Sequence, residues 1–413
     1  MELREGYKNT EVGVIPDDWD IKSILDIIQK NAGIKIGPFG SQLKKDLLVE
    51  RGYKIYGQEN VFEKDFDIGN RYLSEEHFRR LKTCELLTGD FIISMMGTIG
   101  KCMIVPRNIE SGIMDSHLLR LKLNDTKINS ELLIHFFSSQ LLKNQVKRLS
   151  VGGIMDGLSS SIVKKIQFSL PKTLSEQQAI AEVLSDTDIL IQALEKQIAK
   201  KSNIMLGAMQ KLLQPKEGWE VKKLGEIAKI VRGASPRPIE DPKWFDESSS
   251  IGWVRISDVT KSVKILTSTT QKLSELGIQS SRYVEEGNLI MSICATVGRP
   301  ILTRINVCIH DGFVVFRNPT IEKEYLYYFL SFIEKDWSKN GQTGSQMNLN
   351  TPLINSTEIA IPPTIKEQTT IATILSDIDN EITALESNLK KYKMLKLGMM
   401  QNLLTGKIRL IKS

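Results

Sequence analysis

Cysteine and histidine are scarce in this sequence, and long apolar runs are missing. Its four cysteines, Cys84, Cys102, Cys294 and Cys308, stand far apart with no CxxC spacing. That argues against a disulfide framework or a zinc ribbon, and the four read as reduced thiols of a cytoplasmic protein. The four histidines, His77, His117, His135 and His310, are too scattered to suggest a metal site. No apolar stretch approaches the ~18–20 residues of a membrane span. The opening MELREGYKNTEVG is acidic and polar, unlike a secretory signal or an Arg-rich transit peptide.

Catalytic signatures are missing too. No GxxxxGK[ST] phosphate loop occurs, since GTIGK at Gly97 and TGK at Thr405 are too short. No GxGxxG follows an expected strand, and the Asn-Pro-Pro-aromatic or Asp-Pro-Pro-aromatic tetrapeptide of amino-methyltransferases is not found. Pro16-Asp17 with Asp20-Ile21-Lys22 has the letters of a nuclease PD…DxK, but the spacing is far too tight. No catalytic, cofactor-binding or metal-ligating residue is expected.

What is present is a soluble, globular composition, 41% hydrophobic and 25% charged. At 413 residues it is too long for one ordinary core and suits two or more domains. The net charge of +6 permits a nucleic-acid partner without demanding one. Lys and Arg exceed Asp and Glu by three over residues 1–172 (25 minus 22) and by one over residues 215–363 (18 minus 17). A DNA-binding face would therefore have to come from how charge is arranged.

The strongest signal is a repeat. TLSEQQAIAEVLSD from Thr173 returns as TIKEQTTIATILSD from Thr364, and the copies align without a gap to Gln214 and Thr405. Each follows proline and opens Thr-x-x-Glu, with Thr173 and Glu176 in one and Thr364 and Glu367 in the other. That is the pattern of a capping box. A seam with steps of 4 and 3 then runs through Ile180, Leu184, Thr187, Ile191, Leu194, Ile198, Lys201, Met205, Ala208 and Leu212. Its second copy is Ile371, Leu375, Ile378, Ile382, Leu385, Leu389, Tyr392, Lys396, Met399 and Leu403. A mean step of 3.5 held for nearly five heptads predicts a left-handed coiled coil, with the other copy as its antiparallel partner. Each helix would be roughly 60 Å long at 1.5 Å per residue. Lys201 and Lys396 fall inside the seam, where their stems either pack with the ammonium escaping or fix register.

The segments upstream repeat as well. PDDWDIKSILDI at Pro16 faces PKEGWEVKKLGEI at Pro215, and GDFIISMMGTIGK at Gly89 faces GNLIMSICATVGR at Gly287. Short apolar runs ended by glycine read as strands. IVKKIQFSLP and LINSTEIAIP read as a last strand entering each helix. Trp19 and Trp219 read as core residues near the helix junction. The expected plan is α+β, with globular domains at 1–172 and 215–363, a central helix at 173–214, and a C-terminal helix and tail at 364–413. Two similar β-rich lobes would form a pseudo-two-fold repeat around the coiled coil. Between the matched frames the lobes differ greatly, as IKIGPFGSQLKKD and IVRGASPRPIEDP show.

With these residues assembled, the chain resembles the specificity subunit of type I restriction-modification enzymes. The resemblance rests on EVGVIPDDWDI, GPFGSQL at Gly37, GQENV at Gly57, GDFIISMMGTIGK, RGASPRPI at Arg232, the two EQ helices and the closing NLLTGKIRL. It implies that each lobe is a target recognition domain reading half of a bipartite DNA sequence, and that the coiled coil sets the distance between halves. It also implies two modification subunits carrying the adenosylmethionine chemistry, two ATP-dependent restriction subunits, and no catalysis by this chain. Two other readings stand beside it: an adaptor for a methyltransferase-only or other phage-defence complex, and a coiled-coil protein-interaction scaffold without DNA function.

Base readout needs side chains that reach base edges, and polar tips of Gly-rich loops are the natural carriers. The candidates are Gly37, Phe39, Ser41, Gln42, Gln58, Asn60 and Lys101 in the first lobe. In the second they are Arg232, Ser235, Arg237, Arg255, Arg299, Gln342 and Gln346. The EQ dipeptides, Glu176-Gln177 and Glu367-Gln368, are explained by helix capping, with a contact to the modification subunit as an additional reading.

Overall fold

The computed structural model describes residues 5–31, 33–39, 42–98, 100–150, 158–340 and 349–410. It divides into two compact units, one of Met1–Glu195 with Asn388–Ser413, the other of Lys196–Ser387. Each unit holds one lobe and part of both long helices. Among the described residues no helix is long and apolar enough to cross a membrane.

The first lobe is built on Phe91–Ser94, a run buried at every position. It pairs antiparallel with Leu118–Leu121 and Cys102–Ile104, and Leu118–Leu121 carries Ile34–Ile36 on its other edge. Side chains alternate between the two faces of a strand. Phe91, Ile93, Leu119 and Leu121 accordingly face a layer containing Leu133, Phe136 and Phe137 of helix Ser130–Ser138 and Ile180 and Leu184 of the first long helix. Ile92 and Leu118 face the opposite way, onto Ile55, Val61, Phe78 and Ile113. This second cluster lies under another four-stranded sheet, in which Gly112–Met114 runs parallel to Tyr53–Tyr56 and Tyr72–Leu73 and Leu48–Val49 extend it. A separate antiparallel pair, Asp20–Ser23 with Gln167–Leu170, brings the chain to the helix.

The second lobe repeats the core of this plan, with different strands at the sheet edges. Leu289–Ser292 lies between Phe313–Arg317 and Pro300–Thr303, with Lys229–Arg232 beyond the former and Ile265–Leu266 beyond the latter. Gly252–Val254 runs parallel to Val307–Ile309 in the second sheet, and Glu220–Lys223 pairs with Glu358–Ile361 ahead of the helix. Leu289 and Met291 face Tyr325 and Leu326, and Ile290 faces the other cluster. Trp19 is buried in the first lobe, whereas Trp219 is half-buried.

The long helices run Leu174–Leu212 and Ile365–Leu403, 39 residues each. The Thr173 hydroxyl accepts from the Glu176 amide at 3.3 Å and the Thr364 hydroxyl from Glu367 at 3.2 Å. This is the threonine's half of each expected capping box, and the glutamate carboxylates are turned to other partners. The Glu176 carboxylate binds Arg409 through Nε at 2.5 Å and Nη2 at 2.9 Å, and Glu367 accepts from the Trp219 indole at 3.3 Å. Arg409 also reaches both carboxylate oxygens of Asp18, and a raised basicity of its guanidinium follows from these two partners.

All twenty seam positions are buried or half-buried, as knobs in a coiled coil should be. Within the first unit, Asp188 pairs with Lys396, Glu195 with Lys393 at 2.7 Å, and Thr187 touches Met399. Numbers rise on one helix as they fall on the other, so the strands of the coil are antiparallel. Within the second unit Lys201 pairs with Glu381. Both seam lysines therefore end on a carboxylate of the facing helix, which ties them to register.

Candidate nucleic-acid interface

In each lobe three loops meet at equivalent places. The first follows the strand that opens the sheet, the second joins the parallel strand to its antiparallel neighbour, and the third starts a short helix. In the first lobe these are Gly37–Phe39, Asp115–His117 and Gly57–Asn60. In the second they are Gly233–Arg237, His310–Gly312 and Arg255–Asp258. Backbone contact fixes the first two together. A Cβ on Gly37 would lie 1.7 Å from the Asp115 carbonyl, and one on Gly233 would lie 2.0 Å from the His310 carbonyl. Glycine is needed at both positions because backbone passes where a side chain would stand.

In the first lobe the junction is held by charge. Arg71 donates through Nη2 to Glu59 at 2.9 Å and to Asp115 at 3.0 Å. Asp115 also accepts from the His117 amide at 2.9 Å. Gln58 is half-buried and accepts from Ser94 at 3.5 Å. Ser94 in turn donates its amide to the carbonyl of Lys101, an exposed residue, at 2.9 Å. Phe39 and Gln42 are exposed.

Asn60 is placed otherwise than expected. It is buried, its Oδ1 accepts from the Gly57 amide at 2.8 Å, and its Nδ2 donates to the carbonyls of Asp65 and Ile68. Those bonds commit its amide to shaping the loop and leave no edge for a base. Asp258 takes the same role in the second lobe, accepting from the Arg255 amide at 2.9 Å. Gly37 is likewise buried and serves the backbone. Ser41, Gln342 and Gln346 lie outside the described residues.

In the second lobe three candidates converge on Asp311. Arg232 donates through Nε to its carbonyl at 2.8 Å, Ser235 donates to its carboxylate at 2.6 Å, and Arg237 Nη2 stands 3.4 Å from the other oxygen. The Ser235 hydroxyl, more than the neighbouring charges, holds the Asp311 carboxyl below its ordinary range. Arg282 donates to the Arg232 carbonyl at 3.3 Å. Arg255 is half-buried, bound to Gln271 at 2.8 Å, with its guanidinium 5.9 Å from the Trp253 ring. That ring lies 5.8 Å from His310, which burial keeps less basic than usual. Arg299 is half-buried and donates to Ser262 at 3.3 Å, so it is turned toward its own lobe.

The two sites differ in chemistry. Two arginines, Arg232 and Arg237, meet Asp311 in the second lobe, with Arg282 bonded to the Arg232 carbonyl, and their planar donor forks suit guanine edges or phosphate. In the first lobe the single arginine is consumed by two carboxylates. Residues that sequence reasoning missed are Arg71, Asp115, His117, Gln271, Arg282 and Asp311. A signal existed for some of them, because DSH at Asp115 and HDG at His310 are polar breaks between apolar runs at matched places.

Comparison with known proteins agrees with this duplicated plan. The family described as the type I restriction modification DNA specificity domain matches twice, over residues 16–201 and 216–392. The MjaX specificity subunit of Methanocaldococcus jannaschii is 26% identical over 98% of this chain and 97% of its own. The MjaVIII type I restriction enzyme specificity subunit of the same organism is 25% identical over 98% and 96%. In fold, the chain is similar to the crystal structure of a type I restriction-modification system S subunit from M. genitalium. The TM-score is 0.60 at 14% identity, with 98% of each chain covered.

Proposed function

This chain belongs to the family of type I restriction-modification specificity subunits, with two recognition domains, and from that premise we propose that each lobe reads one half of an asymmetric, bipartite duplex target. The observation that carries this reading is the matched trio of loops in the two lobes, bearing different side chains. The arginine-rich set around Asp311 suits guanine and phosphate. The set around Asp115, with Gln58 and Phe39, offers an amide and a ring.

The paired long helices are the element whose length fixes the spacer between half-sites. Two modification subunits supply adenosylmethionine-dependent methylation, and two restriction subunits supply ATP-dependent cleavage. This chain contributes recognition, not catalysis, in the cytoplasm. Large apolar side chains left open on the long helices, such as Ile189 at 64% and Met394 at 66% exposure, suit packing by helices of the modification subunits.

The test is single-molecule sequencing of methylated adenines in a host expressing this chain with its modification partner. A single asymmetric motif of two short halves around a fixed gap is expected. A palindromic motif, or no motif dependent on this chain, would overturn the proposal.

A further inference from the structure

Phe39 is the most open of the large apolar side chains among the described residues, with 75% of its surface exposed. Yet the stretch Gly37–Phe39 that carries it is firmly seated. Gly37 donates its amide to Leu118 at 3.0 Å and abuts the Asp115 carbonyl, Pro38 is buried, and the Phe39 carbonyl accepts from Gln42 at 2.8 Å. The matched turn of the second lobe has the same anchor, with Gly233 donating to Phe313 at 2.9 Å. Counting from those glycines, Phe39 corresponds to Ser235. Ser235 folds inward onto Asp311 at 2.6 Å, whereas Phe39 projects outward. The same scaffold thus turns a hydroxyl inward in one lobe and presents a ring in the other.

The surroundings of the ring indicate what it meets. A cleft of about 380 Å³ beside it is lined by Lys35, Arg80, Lys164 and Gln42. An aromatic face flanked by cations is complementary to a base step with its phosphates, and apolar wedges of this kind unstack and kink a duplex. A protein partner would instead call for a continuous apolar patch.

We propose that Phe39 is a wedge that enters the base stack of bound duplex at one step of the first half-site, while Lys35, Arg80 and Lys164 hold the flanking phosphates. The wedge is one-sided, because the second lobe has serine at that place. This inference rests on the reading of the first lobe as a recognition domain.

The experiment uses this chain in complex with its modification partner, and duplexes of its methylated motif carrying 2-aminopurine at successive positions of the first half-site. A several-fold rise in fluorescence is expected at one step other than the methylated adenine. Phe39→Ala should abolish that rise while leaving binding by anisotropy within about tenfold. Phe39→Leu, which keeps an apolar wedge, should retain it. If Phe39→Ala fails to bind at all, recovery of both binding and fluorescence by Phe39→Leu supports the wedge, and recovery of binding alone refutes it. The wedge is also refuted if no such step brightens, if Phe39→Ala brightens as the natural chain does, or if Phe39→Ala no longer copurifies with the modification subunit. Failure of the natural complex to bind its motif would instead defeat the recognition reading, and the wedge with it.

Discussion

The side-chain oxygen of Gln177 accepts the backbone N–H of Asn129 at 2.8 Å, and Gln368 does the same for Glu322 at 2.9 Å. Asn129 and Glu322 are the N-caps of helices Ser130–Ser138 and Lys323–Phe332. The glutamine Nε2 donates back to Pro171 in one lobe and to Pro362 in the other. At 1% and 3% exposure, these glutamines dock each long helix onto its lobe from within. Their side-chain amides are therefore committed within the lobe, a role that helix capping did not anticipate.

Gln177→Leu is expected to strand the Asn129 amide and the carbonyls it serves, costing about 2–3 kcal/mol. Urea unfolding would show it as a lower midpoint with loss of the early part of the transition. A midpoint unchanged within error would mean that the bond contributes nothing net.

His135 predicts an acid sensitivity of the first unit. Its Nε2 is 3.0 Å from the Ser185 hydroxyl, and its buried Nδ1 lacks a hydrogen bond and lies 3.8 Å from Asp188. Burial, then the Lys396 charge, pushes its pKa down to about 4, with Asp188 opposing. Unfolded histidine titrates near ~6.5. Between those values the unfolded chain binds the extra proton, so stability falls as pH drops from about 6.5 to about 4, by up to ~3 kcal/mol. His135→Gln should flatten the dependence of the urea midpoint on pH in that window. An unaltered slope would assign the acid sensitivity elsewhere.

Much of this was legible from local rules. Thr173 and Thr364 start their helices because a hydroxyl before an apolar 3.5-residue pattern can do little else, and every seam position lies inward. Side chains whose role depends on distant backbone were not legible. Asn60 in GQENV looks like a reader of adenine, and only the fold shows its amide turned onto Gly57, Asp65 and Ile68. Glu176 fits a capping box until Arg409, 233 residues away, takes its carboxylate. HDG marks Asp311 only as a polar break, and its importance comes from three donors brought from residues 232–237.

Arg237 offers a test of the second site with little risk to the fold. Its side chain is 77% exposed, and its contact with Asp311 is long. Arg237→Ala should leave unfolding unchanged and weaken binding to the motif about 10- to 100-fold, if it contacts a base edge. The motif should then relax at one position of the second half-site. If it contacts phosphate, affinity should fall uniformly across sequences and the salt dependence should lose about one charge. No change in either quantity would remove Arg237 from the interface.

The helix pair makes the most distinctive prediction. Adding seven residues to both helices at the Glu195–Lys393 pair preserves the seam, because seven is its repeat. It lengthens each helix by about 10 Å at 1.5 Å per residue, close to three base pairs at ~3.4 Å each. The complex should then prefer a spacer longer by about three base pairs, with both half-sites unaltered, when methylation is assayed on a series of spacer lengths. A four-residue insertion should instead break the register that Lys396 and Lys201 hold with Asp188 and Glu381 and lower stability. If the seven-residue variant folds and methylates DNA at the original spacer, the helices do not set the gap, and the spacing must come from the partner subunits.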